Sequence, residues 1–307
     1  MIVVVTIVAF LLIHLAPGEP FAYEGRNVTP AARGQWRERF GYNRPLPVQL
    51  AKYVGNVLRG QFGYSTLEHR PAVDAIADAM PRTLLLAAIG LTAAIILGIG
   101  AGALAASGRG TWRDRIISLG FVCLYSIPEF WLALILQLGL AYWLRLFPVS
   151  GTADPLIADY GTRSAAFVDR LRHLALPSLA LTLVLAAVIG RFQRAALLDV
   201  LPSDYLRTAR AKGASERTVL ARHALRNALT PTITILGYVF PTILGGVFFI
   251  EYVFGWSGLG LLTVRAVQAL DYDVATATVI IAGVLVTLGN LLADIGVAAA
   301  DPRVRDA

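Results

Sequence analysis

Charge is scarce in this chain. Only 15% of its 307 residues are Asp, Glu, Lys or Arg and 56% are hydrophobic, whereas soluble domains carry roughly 25% charged residues. That shortage argues against a soluble domain and for a membrane protein. Cysteine is nearly absent. Cys123 stands alone inside an apolar run, so no internal disulfide can form and the redox compartment is not readable from it. It reads as a small buried hydrophobe. No GxxxxGK(S/T) stretch occurs, which excludes the usual phosphate-cradling loop, so this chain does not itself bind ATP in the usual way. The four histidines, His14, His69, His173 and His223, are far apart, and no His/Cys cluster has metal-ligand spacing. The charge that is present is biased positive, +7. In a membrane protein such a bias points to cytoplasmic anchoring before nucleic acid.

What is abundant is charge-free sequence. A spanning helix needs roughly 20 apolar residues to cross about 30 Å of hydrocarbon. One such run lies between Arg82 and Arg109, and a second between Arg115 and Arg145, interrupted only by Glu129. A third lies between His173 and Arg191, a fourth from Thr230 to Ile250, and a fifth from Val274 to Asn290. Ile2–Ala16 makes a sixth predicted span. Its 15 residues would extend only about 22 Å as helix, so it reads as a span truncated at its N-terminal end. A signal peptide is the competing reading, but Pro17-Gly18-Glu19-Pro20 follows in place of a small-residue cleavage site.

Short loops set the orientation. Arg109, Arg113, Arg115, six basic residues between Asp204 and Asn227, Arg303 and Arg305 lie on one side, against Arg145, Arg163, Arg170, Arg172 and Arg265 on the other. The segment 17–81 is too long to vote. Both termini and the Asp204–Asn227 segment are therefore expected in the cytoplasm, with 17–81 outside and Thr152–Arg172 a smaller outer excursion. Trp36, Phe40, Tyr42, Tyr53 and Phe62 supply enough aromatic surface for 17–81 to pack as a small cap.

The Asp204–Asn227 segment carries Arg207, Arg210, Lys212, Arg217, Arg222 and Arg226, and it reads as helix, break, helix. Lys212 falls in a last helical turn, and Gly213 sits where a left-handed cap is wanted. Ser215 can N-cap a second helix with Glu216 in its first turn. Ala221, Ala224, Leu225 and Ala228 form one apolar stripe at i, i+3, i+4 and i+7. Thr230-Pro231 is expected to restart the chain as a new helix, with proline at its beginning. A solvated positive loop would explain the charge alone. A short projecting helix that docks in a cleft would also explain the helix–glycine–helix grammar.

Other motifs admit two readings each. Gly98 and Gly102 form GxxxG and Gly245-Gly246 sits further on, serving either internal helix packing or a subunit interface. Glu129, beside Pro128, is either an ionisable functional group in a span or a wet residue where Ser126-Ile127-Pro128 breaks the helix. Gly255-Trp256-Ser257-Gly258 matches the GxSG of intramembrane serine proteases. That chemistry takes a general base from a later span, and no histidine follows His223. The competing reading is a tight glycine turn with Trp256 and Tyr252 as interfacial anchors.

DYLRTARAKGAS at 204–215 and RHALRNALTPTIT at 222–234 resemble the cytoplasmic EAA loop of binding-protein-dependent ABC importer permeases. They are most similar to the first, B-type permease of the dipeptide/oligopeptide/nickel branch. The likeness continues in order along the chain. Leu15–Pro20 resembles LxPGDP, Gly63-Tyr64-Ser65 with Pro81–Leu84 resembles FGxS…PxTL, and Ser126–Trp131 resembles SxPxFW. Arg170–Pro177 resembles RHLxLP, Glu251–Phe254 with Gly258-Leu259-Gly260 resembles ExVFxxPGLG, and Asn290–Asp294 with Asp301-Pro302-Arg303 resembles NLxxD…DPR. The sequence departs from the family at Ser257, often proline there, and at Leu270-Asp271, often Arg-Asp.

The resemblance implies an all-α polytopic membrane protein with six transmembrane helices, a type I importer permease (MetI-like) fold. It implies a single transmembrane permease domain over 1–307: a first span 1–16, an extracytoplasmic loop or cap 17–81, and a five-helix core 82–307 with its EAA loop at about 199–230. It implies a pore-forming subunit, not an enzyme, that takes up peptides or a related solute such as nickel. The implied partners are a second, C-type permease, two ATPase subunits that bind the ATP and Mg, an extracytoplasmic binding protein and the bilayer, with no nucleic acid. No catalytic residue, cofactor or metal is expected in this chain. Coupling to the ATPase would fall to Asp204, Tyr205, Arg207, Thr208, Ala209, Arg210, Ala211, Lys212 and Gly213. Ser126, Pro128 and Glu129 are candidate pore or gate residues, and Glu251, Trp256 and Gly258 candidate outer-face docking residues. A secondary transporter or channel is the alternative. It would need mid-membrane ion-coupling groups or inverted repeats, and only Glu129 qualifies.

Overall fold

A computed structural model describes residues 44–300 and positions 4, 6–8, 10 and 11, without the side chains of 236–246, 293, 294 and 296–300. Most of the first predicted span and the segment 17–43 lie outside the described residues. The elements run α1 (Leu46–Leu58), a hairpin of β1 (Tyr64–Ser65) and β2 (Arg70–Pro71), α2 (Ala72–Ser107), α3 (Trp112–Ser126) and α4 (Glu129–Leu136). The last continues as a π-helix, π1 (Gln137–Trp143), and is followed by α5 (Pro155–Tyr160), α6 (Arg163–Val200) and α7 (Asp204–Ala211). A continuous helical run comes next, made of α8 (Glu216–Thr218), π2 (Val219–Ala224) and α9 (Leu225–Phe254), then α10 (Leu259–Gln268) and α11 (Tyr272–Ala300). Among the described residues three helices are long and apolar enough to cross a membrane, and up to five crossings result if each bent helix pair counts as one.

Four boundaries differ from expectation. α2 starts at Ala72, ahead of Pro81. Asp74, Asp78 and Arg82 lie ahead of the charge-free run, but Ala72, Ala75, Ile76 and Ala79 are all buried, an i, i+3, i+4, i+7 stripe that holds the extra turns. α6 likewise begins at Arg163 and passes through Pro177, with Thr162 Oγ1 accepting from the Ala165 N–H at 3.3 Å as its N-cap. The third predicted span is broken: α3 and α4 meet at 106°. Pro128 disfavours helical backbone at the residue before it, and Ile127 is extended at φ −81°, ψ 125°. Pro231 lies inside α9 and does not begin a helix; the run is already under way from the Ser215 cap, and one lost hydrogen bond is tolerated in a long packed helix.

The chain forms two compact units, 1–83 with 257–287 and 84–256 with 288–307. Of the segment expected as an outer loop or cap, Phe62 and the residues from Ala72 to Met80 pack with α10 and the start of α11. In that unit Ala72, Ala75, Ile76 and Ala79 form one apolar core with Leu259, Leu262, Ala266, Val274, Ala275 and Ala277. The hairpin pairs Tyr64 with Pro71 and Ser65 with Arg70, and aspartates fasten it. Ser65 Oγ donates to Asp271 at 2.6 Å, the Leu67 N–H to the same carboxylate at 3.1 Å, and the Tyr64 N–H to Asp273 at 3.0 Å. Gly63 has φ +90°, and a Cβ there would strike the Asp273 side chain. Gly63-Tyr64-Ser65 is therefore a fastening built from the bare backbone of one residue and the donors of two.

In the larger unit α6 is the axis, with α3, α4 and α9 packed on it. A Cβ at Gly98 would lie 2.9 Å from Ile189 Cβ, and one at Gly102 would lie 2.6 Å from the Gly190 carbonyl. The GxxxG thus serves packing inside the chain. Gly190 in turn leaves room for the Phe121 ring. With Phe121 turned inward, Cys123 is two helical positions round, about 200°, and is exposed. The expectation of a buried cysteine does not hold.

Candidate coupling loop and outer segment

α7 is a polar helix with one apolar anchor. Leu206 is fully buried. It packs with Ala209 and Ala214 against Ala106 of α2, Leu197 of α6, and Val219, Ala224 and Ala228 of the following run. Asp204, Tyr205, Arg207, Thr208, Ala211, Lys212 and Gly213 are exposed, and Ala209 and Arg210 half-buried. Seven of the nine predicted coupling residues therefore share one short helix whose polar face is open, and Lys212 and Gly213 form the cap that follows it. Leu206 was not among them, yet an apolar residue within DYLRTARA is the readable sign of an anchor.

The break after α7 is a Schellman cap. The Gly213 N–H donates to Arg210 O at 2.9 Å and the Ala214 N–H to Ala209 O at 3.2 Å, with Gly213 at φ +84°. These are the paired 5→2 and 6→1 bonds of that motif. Ser215 Oγ then accepts from the Thr218 N–H as an N-cap. Two contacts hold the hairpin closed: Arg210 Nε donates to Glu216 at 2.7 Å, and Asn227 Nδ2 to the Tyr205 hydroxyl at 2.7 Å. The predicted apolar stripe is displaced. Ala221 is exposed, whereas Val219, Ala224 and Ala228 are buried. The five-residue step from Val219 to Ala224 is the π2 turn, which shifts the buried face by one residue.

A further contact clamps α3 to α6. Arg194 Nε and Nη2 donate to Asp114 Oδ1 and Oδ2 at 2.7 and 2.9 Å. The Gly110 N–H and Ser118 Oγ also donate to that carboxylate. Gln193, fully buried, accepts from Thr232 Oγ1 at 2.7 Å.

Ser126, Pro128 and Glu129 flank the 106° bend. Ser126 Oγ donates to Val122 O at 2.8 Å, Pro128 precedes α4, and Glu129 is half-buried in its first turn. Sequence reasoning missed Gln137 at the start of π1, whose Nε2 donates to Val149 O and Val253 O, each at 2.9 Å.

The GxSG stretch is a helix ending. Gly255, at φ +60°, terminates α9, and the Trp256 N–H donates to Glu251 O at 2.9 Å, again the 6→1 bond of a left-handed cap. Ser257 precedes the Gly258 cap of α10, and its carbonyl accepts from Arg82 Nη1 at 3.2 Å. Thr83 Oγ1 accepts from the Leu259 N–H at 2.7 Å, occupying an N-terminal donor of α10. Glu251 is fully buried, Trp256 is 4% exposed, and Gly258 is buried. Trp256 packs in the apolar core of the larger unit and so does not stand at a surface as an interfacial anchor.

Residues 98–306 match the family described as binding-protein-dependent transport system inner membrane component. The chain belongs to that family. Among similar proteins, one of Brucella ovis provisionally named a peptide permease is 38% identical over 99% of this chain and 95% of its own length. The oligopeptide transport system permease protein AppB of Bacillus subtilis is 38% identical over 98% of this chain and 94% of its own. The glutathione transport system permease protein GsiC of Escherichia coli K12 is 36% identical over 98% and 94%. The chain is therefore an ABC importer permease subunit of the inner membrane and not an enzyme. Its family works with ATPase and substrate-binding partners.

Proposed function

We propose that this permease forms half of the pore of a peptide importer, paired with a second homologous permease above two ATPase subunits, which bind the ATP and Mg. Six crossings place both termini and α7 in the cytoplasm, and a binding protein delivers substrate from outside. α7 is the coupling helix; closure of the ATPases on ATP shifts the pore between inward-open and outward-open states by differential contact with it. This chain carries no cofactor. The observation that carries the reading is the open polar face of α7 on a buried Leu206 anchor. Relatives named for peptide, oligopeptide and glutathione transport support a short-peptide cargo.

The test is reconstitution of the permease with its partner subunits and binding protein in liposomes. Uptake of labelled di- to pentapeptides is expected only with ATP and binding protein together. Uptake that follows an ion gradient without ATP would establish a secondary transporter instead.

A further inference from the structure

The smaller unit holds a charged crevice of about 200 Å³, lined by Glu68 and Arg70 of the hairpin, Asp78 and Arg82 of α2, Ser257, and Arg265 of α10. Its ionic contacts are unevenly distributed. Arg70 takes both acids, Nε to Glu68 at 2.7 Å and Nη1 to Asp78 at 2.5 Å. Arg82 reaches the Ser257 carbonyl. Arg265 stands exposed in the last turn of α10 and makes no ion pair among the described residues. Asp78 spends only Oδ2 on Arg70 and keeps a side chain 59% exposed. The crevice therefore offers an unused cation and an open carboxylate oxygen.

We propose that this crevice is where the binding protein is registered on the permease, with an acidic side chain of the binding protein entering against Arg265 and a basic one against Asp78. The two-sign pattern favours a protein surface. A lipid phosphate would satisfy Arg265 but leave the open Asp78 oxygen without a cation of its own. The contact rests on the outward placement of this unit in the importer reading above, and it replaces the buried Glu251, Trp256 and Gly258 as the outer contact. Charges at an interface rim set association rate and register more than residence time.

The experiment uses the assembled complex of both permeases and both ATPases in nanodiscs, with the binding protein titrated at low and high salt. Arg265→Glu is expected to slow association about tenfold and to abolish much of its salt dependence. Asp78→Lys should slow it in the same direction, while Arg265→Lys should associate at the wild-type rate. Size exclusion confirms that each variant assembles with its ATPases; if Arg265→Glu does not, Arg265→Gln removes the charge without reversing it. A Glu→Lys or Asp→Lys scan of the binding protein should yield one change that restores Arg265→Glu. Wild-type association by both charge reversals overturns the proposal, as does an effect confined to nanodiscs with anionic lipid, which would assign the crevice to a headgroup. A wild-type complex that neither binds its binding protein nor transports overturns the importer reading itself.

Discussion

Leu206 and Gly213 hold the 204–227 hairpin from opposite ends, one through burial and the other through backbone geometry. Leu206→Ala removes the anchor of α7, and buried Leu→Ala changes cost about 2–5 kcal/mol. Membrane insertion depends on the long apolar runs and should persist. ATPase co-purification and peptide uptake should both fall, and retention of both at wild-type levels would remove Leu206 as anchor. Gly213 is a different case. A Cβ there meets nothing within 4 Å, so a substitution is opposed by backbone conformation alone, roughly 1–2 kcal/mol for an L-residue held left-handed. Gly213→Val should weaken ATPase binding, whereas Gly213→Asn, whose side chain tolerates that region, should nearly preserve it. Equal behaviour of the two in a pull-down would show that the left-handed cap is not what matters.

At the scale of elements, local chemistry was legible and tertiary offsets were not. The helix–break–helix of 204–227 could be read because a cap is a short-range pattern, and Ser215, Gly213 and Lys212 all stand where it requires them. The π2 turn could not. The apolar residues fit a regular helix, and only packing against α2 and α6 chooses Val219 over Ala221. Glu251 and Trp256 are of types that suggest a surface, yet both are buried in this chain, and that burial comes from tertiary packing that a local pattern does not show. The early start of α2 was hidden by counting charges when the apolar stripe was the better guide. One pair ties these helices together. Asp114 is nearly buried and held bidentately by Arg194, whose own side chain is 29% exposed. Removing one partner of a buried pair costs about 3 kcal/mol or more, because the other charge is left stranded. Arg194→Ala should lower the thermal unfolding midpoint of the purified complex, and Asp114→Ala with Arg194→Ala should lower it by less than the two single losses added. Strict additivity would mean the two do not act as a clamp.

At the scale of the whole molecule, the permease reading requires a definite sidedness. Positive charge is concentrated in the short segments around Arg109–Arg115 and Asp204–Asn227, and such segments stay in the cytoplasm. On the proposed reading the exposed polar face of α7 would meet the ATPases, and α5, with Asp159 and Tyr160 exposed, would lie outside. Cys123 is the only cysteine, and it sits on an exposed helical face. Cys123→Ser therefore gives a cysteine-free background. In it, Asp159→Cys should react with a membrane-impermeant maleimide in intact spheroplasts, while Lys212→Cys should react only after permeabilisation. Adding the ATPase subunits should then shield Lys212→Cys but leave Asp159→Cys reactive, because only the former lies on the face that α7 presents. Labelling with the opposite sidedness would invert the topology and place α7 where no ATPase could reach it. Correct sidedness without shielding would keep the topology and remove α7 from the ATPase contact, so the two halves of the proposed function can fail separately.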